Sequence, residues 1–269
     1  MHPVLFEAGG VTLYAYGVLL AAAYLIGLQV TLVRARARGL DGQRVMDMGI
    51  WVIVSALIGA KLLLAAQYPR QYFTSVSGFF ELLRVGGVFY GGLIAAIVTA
   101  IWCLWRYGLP LWTTGDAIAP ALALGHAVGR LGCLLAGCCY GRQTSVSWAI
   151  TFHDRAAQTI VGTPLGVPLH PTQIYEAGAE LLIMCGLLLL ERRGRPFAGR
   201  TFWTYILLYG VSRFVIEFYR GDDRGMLFGT LSTSQSVSLV LVPLAIVMLF
   251  ALSRGTRPAP REAVQARAA

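Results

Sequence analysis

Seven runs of apolar residues, at about 11–33, 47–66, 88–105, 111–128, 171–190, 200–219 and 232–253, alternate with shorter stretches that hold most of the arginines. Each run is close to the ~20 residues a helix needs to cross the hydrocarbon core of a bilayer. That length, without sustained alternation, predicts seven membrane-spanning α-helices. Two stretches break the pattern. Residues 68–88 carry Pro69, Arg70 and an apolar set at Phe79, Phe80, Leu82 and Leu83, which predicts a short amphipathic helix along the membrane interface. In VSWAITF, Val146, Trp148, Ile150 and Phe152 alternate with Ser147, Ala149 and Thr151, a period-two strand signal. Residues 143–170 are therefore expected to form a small cap outside the membrane containing short strand segments, because connections longer than ~15 residues are more often functional than idle.

Composition agrees with an all-α polytopic membrane protein. Of 269 residues 57% are hydrophobic and 13% charged, with a mean hydropathy of +0.65, whereas a soluble domain carries about a quarter charged residues. The net charge of +9 does not point to nucleic acid, because the basic residues fall between apolar runs rather than on one face. They report orientation instead. Loops after the odd-numbered runs hold thirteen arginines, and those on the other side hold seven spread over longer stretches of chain. The positive-inside rule then puts the N-terminus outside and the C-terminus in the cytoplasm. The start, MHPVLFEAGG, lacks the positive charge of a cleaved signal, so the first run is expected to stay in the mature protein. Residues 1–253 read as one seven-helix membrane domain and 254–269 as a basic, disordered tail. Five cysteines make no secreted disulfide framework, and Cys103 and Cys185 read as small core residues inside apolar runs.

Candidate chemistry gathers in three places. Residues 125–141, GHAVGRLGCLLAGCCYG, set Arg130 among Gly125, Gly129, Gly132, Gly137 and Gly141 where an apolar run turns polar. Arginine donates a rigid fork matched to phosphate, and glycines let backbone approach, so the stretch suits an anionic lipid headgroup. The alternative is a snorkelling arginine at a packed helix end. HPTQIYEAGAE, residues 170–180, opens the fifth run with Pro171, Gln173, Tyr175, Glu176 and Glu180, a polar load that must face the bundle interior. Glu176 and Glu180, one turn apart, are placed to hold Arg130 or Arg213, either as a buried ion-pair clamp or in catalysis. In YGVSRFVIEFYRGDDR, Tyr209, Arg213, Glu217 and Arg220 follow at intervals of four, four and three and make a single polar stripe. A charge inside a span costs at least about 2.5 kcal/mol, so Arg213 and Glu217 require a partner, a cavity or an anionic ligand. Lys61 is expected to snorkel, and Asp116 to cap its helix near the cytoplasmic face.

GRLG at 129–132, HPTQIYE at 170–176, YGVSRFVIEFYR at 209–220, YGG at 90–92 and YAYG at 14–17 together resemble the bacterial prolipoprotein diacylglyceryl transferase family, in the same order over nearly the whole chain. The resemblance implies an enzyme of the bacterial inner membrane that moves a diacylglyceryl group from phosphatidylglycerol to the lipobox cysteine of a preprolipoprotein, forming a thioether and releasing glycerol phosphate. It also implies active-site roles for Tyr16, Arg130, Gly137, Tyr209, Arg213 and Glu217, to which the local pattern adds Gly132, Gln173 and Glu176 as substrate-binding candidates. The chemistry fits the residues: a thiol must lose its proton, and a departing phosphate must be stabilised, for which Arg130 and Arg213 are the candidates. No metal, nucleotide or other cofactor is expected, and a monomer is compatible with the pattern.

The chain departs from the family in two places. A histidine usually precedes the paired glycines of the third span, where Tyr90 stands here; tyrosine, with an ordinary pKa of about 10, is a poor base. His126 or His170 then substitutes, or electrostatics alone ionises the thiol. Asparagines and a glutamate usually follow the signature arginine, where this chain has Cys133, Ala136 and Cys138. A paralogue acting on another acceptor is therefore an alternative. Cys133, Cys138 and Cys139 also leave a metal or redox site open, although adjacent cysteines close a disulfide only with strain. A transporter is a further rival, disfavoured by the lack of an inverted repeat.

Overall fold

The computed structural model describes residues 3–8, 11–222, 226–227 and 231–255. A hairpin of β1 (Val4–Ala8) and β2 (Val11–Tyr14) leads into α1 (Ala15–Arg36), followed by α2 (Gly42–Gln67), the short α3 (Pro69–Phe73) and α4 (Val76–Arg84), α5 (Phe89–Tyr107) and α6 (Leu111–Ala136). Then come β3 (Ile150–Thr151), α7 (Arg155–Val161), β4 (Pro168–Leu169), α8 (Thr172–Arg192), α9 (Arg200–Glu217), a two-residue hairpin of β5 (Met226–Leu227) and β6 (Leu231–Ser232), and α10 (Thr233–Gly255).

Six helices, α1, α2, α5, α6, α8 and α10, are long and apolar enough to cross a membrane. The seventh expected span corresponds to α9, which forms a helix of 18 residues but carries Arg200, Arg213 and Glu217. The chain divides into two compact units, one made of the described residues up to Gly27 and from Ile118 onward, the other of Leu28–Ala117.

In the first unit, Ala119 and Ala123 of α6, Ile183 and Leu187 of α8 and Tyr205 of α9 form a buried apolar core, with Phe202 and Tyr209 packed against it. Helix α10 opens with a reciprocal cap: Gln235 N donates to Ser232 Oγ and Ser232 N to Gln235 Oε1, each at 3.2 Å, which satisfies orphan amides of the first turn. In the second unit α2 packs along α5 through glycines. A Cβ on Gly59 would lie 2.6 Å from the Gly91 carbonyl oxygen, so the backbones approach to a distance no side chain tolerates. Asp41 caps α2 by accepting from Gln43 N and Arg44 N at 2.9 and 3.3 Å.

Several expectations are corrected. The first run starts as a strand: VTLY, rich in β-branched and aromatic residues, pairs with VLFEA, and the helix begins only at Ala15. Helix α6 does not stop near 128; Leu131, Leu134, Leu135 and Ala136 sustain it, so Arg130 is inside the helix. The strand read in VSWAITF shrinks to Ile150–Thr151, paired with Pro168–Leu169, because Val146 and Ala149 close a turn (3.1 Å). Lys61 finds defined partners. Its ammonium donates to the carbonyls of Leu82 (2.8 Å), Leu83 (3.3 Å) and Val85, satisfying the open C-terminal end of α4. Asp116 sits in the second turn of α6, buried, rather than at a capping position. The amphipathic segment forms α3 and α4, with Leu82 buried against Ala65 and Tyr72 while Phe79, Phe80 and Leu83 are exposed. The expected tail lies outside the described residues from 256 on, as does Arg224.

Substituting Gly59→Val should destabilise the protein by about 1–3 kcal/mol, the usual cost of overpacking. Gly86→Ala, where an added Cβ meets nothing within 4 Å, should be near neutral. Thermal unfolding in detergent measures both, and equal melting points for Gly59→Val and wild type would rule out the close α2–α5 contact.

Candidate active site

Because α6 runs on to Ala136, His126, Arg130 and Cys133 fall at intervals of four and three on one helix face. Helix α8 presents Gln173, Glu176 and Glu180 at intervals of three and four, and α9 and the turn after it present Arg213, Glu217 and Arg220. The three polar stripes meet. Arg213, Arg220, Glu176, Glu180 and Glu217 are all buried, and Gln173 is 1% exposed.

Glu176 is the hub. Its Oε1 accepts from Arg213 Nη1 at 2.9 Å and from Arg220 Nη1 at 2.7 Å, and its Oε2 lies 2.5 Å from Arg130 Nε. Arg213 also pairs with Glu217 Oε2 at 2.6 Å and donates to Ser234 Oγ at 2.9 Å. Burying a carboxylate alone costs several kcal/mol, and such charge-assisted bonds offset it. Arg220 is further clamped by Asp222, whose two carboxylate oxygens lie 2.8 Å from Nε and Nη2. Burial works against the Arg220 charge, but the Asp222 hydrogen bond and Glu176 outweigh it and raise its pKa.

His126 extends the network. Arg130 Nε donates to His126 Nε2 at 3.1 Å while pairing by charge with Glu176, and His126 Nδ1 faces Glu180 Oε1 at 2.7 Å. An accepting Nε2 requires the proton on Nδ1, so the hydrogen bonds assign the tautomer: Nδ1–H to Glu180, lone pair on Nε2. The ring of Tyr209 lies 5.5 Å from His126 and stacks on Tyr205 at 5.9 Å.

The loop after α6 is held from three sides. Gly137 ends the helix with φ of 80°, and a Cβ there would also strike Ala157 at 2.7 Å, so both conformation and space demand glycine. Thr163 Oγ1 donates to the Gly137 carbonyl at 3.0 Å, Gln173 Nε2 to Cys138 O at 2.7 Å and Thr172 Oγ1 to Cys139 O at 2.8 Å. Beyond it, Gly141 N donates to His170 O (3.0 Å) and Arg142 N to Tyr219 O (2.8 Å), which ties the start of α8 to the end of α9. The thiols of Cys133, Cys138 and Cys139 lie within 4.8 Å of one another. Hydrogen bonding to Cys133, then to Cys139, and burial push the Cys138 thiol up.

The other candidates divide. Tyr16 packs against Gly132, where a Cβ would be 3.3 Å from its ring. His170 joins an aromatic cluster instead of the arginine network: its Nδ1 is 3.1 Å from Tyr175 Oη, which accepts from Trp148 Nε1 at 2.7 Å, and its ring meets that of Tyr219 at 5.2 Å. Tyr90 belongs to the other unit, on α5, with its ring edge-on to Phe89 at 5.6 Å. Arg220, Asp222 and Ser234 were not singled out as site residues. Arg220 was on the stripe with Arg213, and Ser234 lies in the S-x-x-Q cap that starts at Ser232, so both carried a signal.

Comparison with known proteins identifies relatives of this chain. The family model for prolipoprotein diacylglyceryl transferase matches residues 3–251. A phosphatidylglycerol–prolipoprotein diacylglyceryl transferase of Clostridium tetani is 32% identical over 246 residues, covering 91% of this chain and 96% of that protein. Its namesake in Geobacter sulfurreducens is 31% identical over 260 residues (94% and 96%), and that of Rhodococcus jostii 34% over 265 residues (92% and 72%). This chain belongs to the prolipoprotein diacylglyceryl transferase family.

Proposed function

We propose that this protein transfers the diacylglyceryl group of phosphatidylglycerol to the thiol of the lipobox cysteine in preprolipoproteins, at the outer leaflet of the bacterial inner membrane. Seven spans with the N-terminus outside fit this reading, α9 crossing with its charges turned into the bundle. The observation that carries it is the convergence of Arg130, Arg213 and Arg220 on the single carboxylate of Glu176, inside a protein of apolar helices.

Such a site holds an anion and releases it. A phosphodiester entering between Arg130 and Arg213 takes over donors that Glu176 now occupies, while Arg220 keeps its contact with that carboxylate. As the thiolate attacks the glyceryl carbon, the C–S bond forms, the C–O bond to phosphate breaks, and the electron pair leaves with glycerol phosphate, whose growing charge the arginines stabilise. Moving Arg130 Nε–H to the phosphate also frees His126 Nε2. With Nδ1–H anchored on Glu180, that lone pair then takes the thiol proton. The base is generated by the arrival of the lipid.

A paralogue on the same scaffold with another acceptor is the second reading, favoured by the cysteines at 133 and 138. One assay separates the two: purified protein, phosphatidylglycerol and a lipobox peptide, with the cysteine-to-serine peptide as control, read by mass. A diacylglyceryl addition on the cysteine peptide alone supports the transferase, and none from folded, lipid-binding protein supports the paralogue.

In that assay Arg130→Ala and Arg213→Ala should each lose roughly 100- to 1,000-fold in kcat/KM, the scale for removing one transition-state donor. Lysine at either position should restore little, since it lacks the fork. Full activity in both alanine variants, with normal folding, would sink the phosphate role.

His126→Ala should lower kcat by about 100-fold or more, while His170→Ala should change it far less. The reverse ranking would move the base to His170.

A further inference from the structure

Cys133, Cys138 and Cys139 stand beside the arginine network without a part in the chemistry described so far. Their three sulfur atoms lie within 4.8 Å of one another. A tetrahedral ion with metal–sulfur bonds of about 2.3 Å needs sulfurs about 3.8 Å apart, so closure takes side-chain shifts of about 1 Å or less. A disulfide needs about 2.05 Å between two of them and strands the third.

The loop bearing two of these thiols is built rather than loose. Cys139 has a φ of 62°, a left-handed conformation that costs a side-chain-bearing residue about 1 kcal/mol or more. Hydrogen bonds from the buried Thr172 and Gln173 to the Cys139 and Cys138 carbonyls hold it there. Gln173 Oε1, at the other end of that amide, is buried and makes no hydrogen bond among the described residues. Arg130 is within electrostatic reach of Cys133 and Cys139, and Arg220 of Cys139, so positive charge faces the sulfurs. Cys133 is buried while Cys138 and Cys139 are partly exposed, which leaves one side of the triad approachable.

We propose that Cys133, Cys138 and Cys139 form a three-thiolate site for a thiophilic divalent cation, Zn2+ by its chemistry, whose open fourth position binds the acceptor thiol. Three protein ligands with a fourth place for substrate is the arrangement of catalytic zinc sites. Coordination strips the acceptor thiol of its proton, which passes through His126 to the departing glycerol phosphate. A zinc ion with four thiolates carries a net charge of −2, leaving the sulfur electron-rich, with Arg130 and Arg220 as neighbouring cations. The resulting thiolate attacks the glyceryl carbon as above, so no redox partner is required. The inference rests on the transferase reading for the identity of the acceptor, and it replaces the expectation of a metal-free site.

The test uses full-length protein in detergent, reduced, stripped with chelator and reloaded with Zn2+ or Co2+. One metal per chain is expected by elemental mass spectrometry, with cobalt absorption of tetrahedral thiolate character. A cysteine lipobox peptide should perturb the cobalt bands and the serine peptide should not. Cys133→Ser, Cys138→Ser and Cys139→Ser should each weaken binding on the order of 100-fold or more, the top of the range seen when even an outer-shell partner of a metal site is removed. Wild-type protein that takes up no stoichiometric metal overturns the site, as does metal binding unchanged in all three variants. Cobalt bands indifferent to the cysteine peptide overturn the open position. Full transfer by metal-free protein overturns the role of the metal and keeps the transferase. Metal bound, thiol ligated and no lipid transferred upholds the site and sinks the transferase reading.

Discussion

One carboxylate, that of Glu176, constrains the first unit. It sits almost fully buried among apolar helices, where an unpaired charge would cost several kcal/mol, so the chain must bring cations to it. It brings three, from the last turns of α6, from α9 and from the turn beyond α9. Each cation is in turn too expensive to bury on one partner, which draws in Glu217, Ser234, Asp222 and the His126–Glu180 pair. The polar seam thus fixes how α6, α8, α9 and the start of α10 face one another. Their apolar core of alanines, Ile183 and Leu187 allows close approach but carries little directional information.

The same economy of partners explains the loop after α6. A helix ending inside a bundle leaves carbonyls that water does not reach, and Thr163, Gln173 and Thr172 supply donors to three successive carbonyls from Gly137 to Cys139. Two of those donors come from the first turn of α8, one turn before Glu176. The loop and the hub are therefore positioned by one helix end, and a displacement of α8 would disturb both the arginines and the cysteines.

Much of this was legible in the sequence. Apolar runs located the long helices, and the spacing of Glu176 with Glu180 and of Tyr209 with Arg213, Glu217 and Arg220 announced stripes that had to find partners. What escaped had physical reasons. A hydropathy run does not distinguish the strand VTLY from the helix that continues it, so the two read as one span. Leucines flanking Arg130 keep α6 helical where polar content suggested an end. Lys61 looked like a snorkelling residue because its partners, the carbonyls closing α4, have no side-chain signature. Arg220 was seen on the stripe, yet its role at Glu176 depends on the loop that carries it back, stitched through Gly141 and Gly221.

The energetics also say which parts of the machinery tolerate replacement. A cysteine thiol with an ordinary pKa of about 8.5 needs only about 2 kcal/mol to ionise at neutral pH. Stabilising the charge of a departing phosphate is worth about 2.7–4 kcal/mol per well-placed donor, and the hub offers several. The base is thus the smaller and more interchangeable term. Tyrosine at position 90, where the family resemblance leads one to expect histidine, need not abolish the reaction if a coordinated thiolate or His126 supplies the nucleophile. The arginines have no such substitute: lysine carries the charge without the fork, and Glu176, held by three of them, would lose the geometry that lets one carboxylate hand its donors to a phosphate.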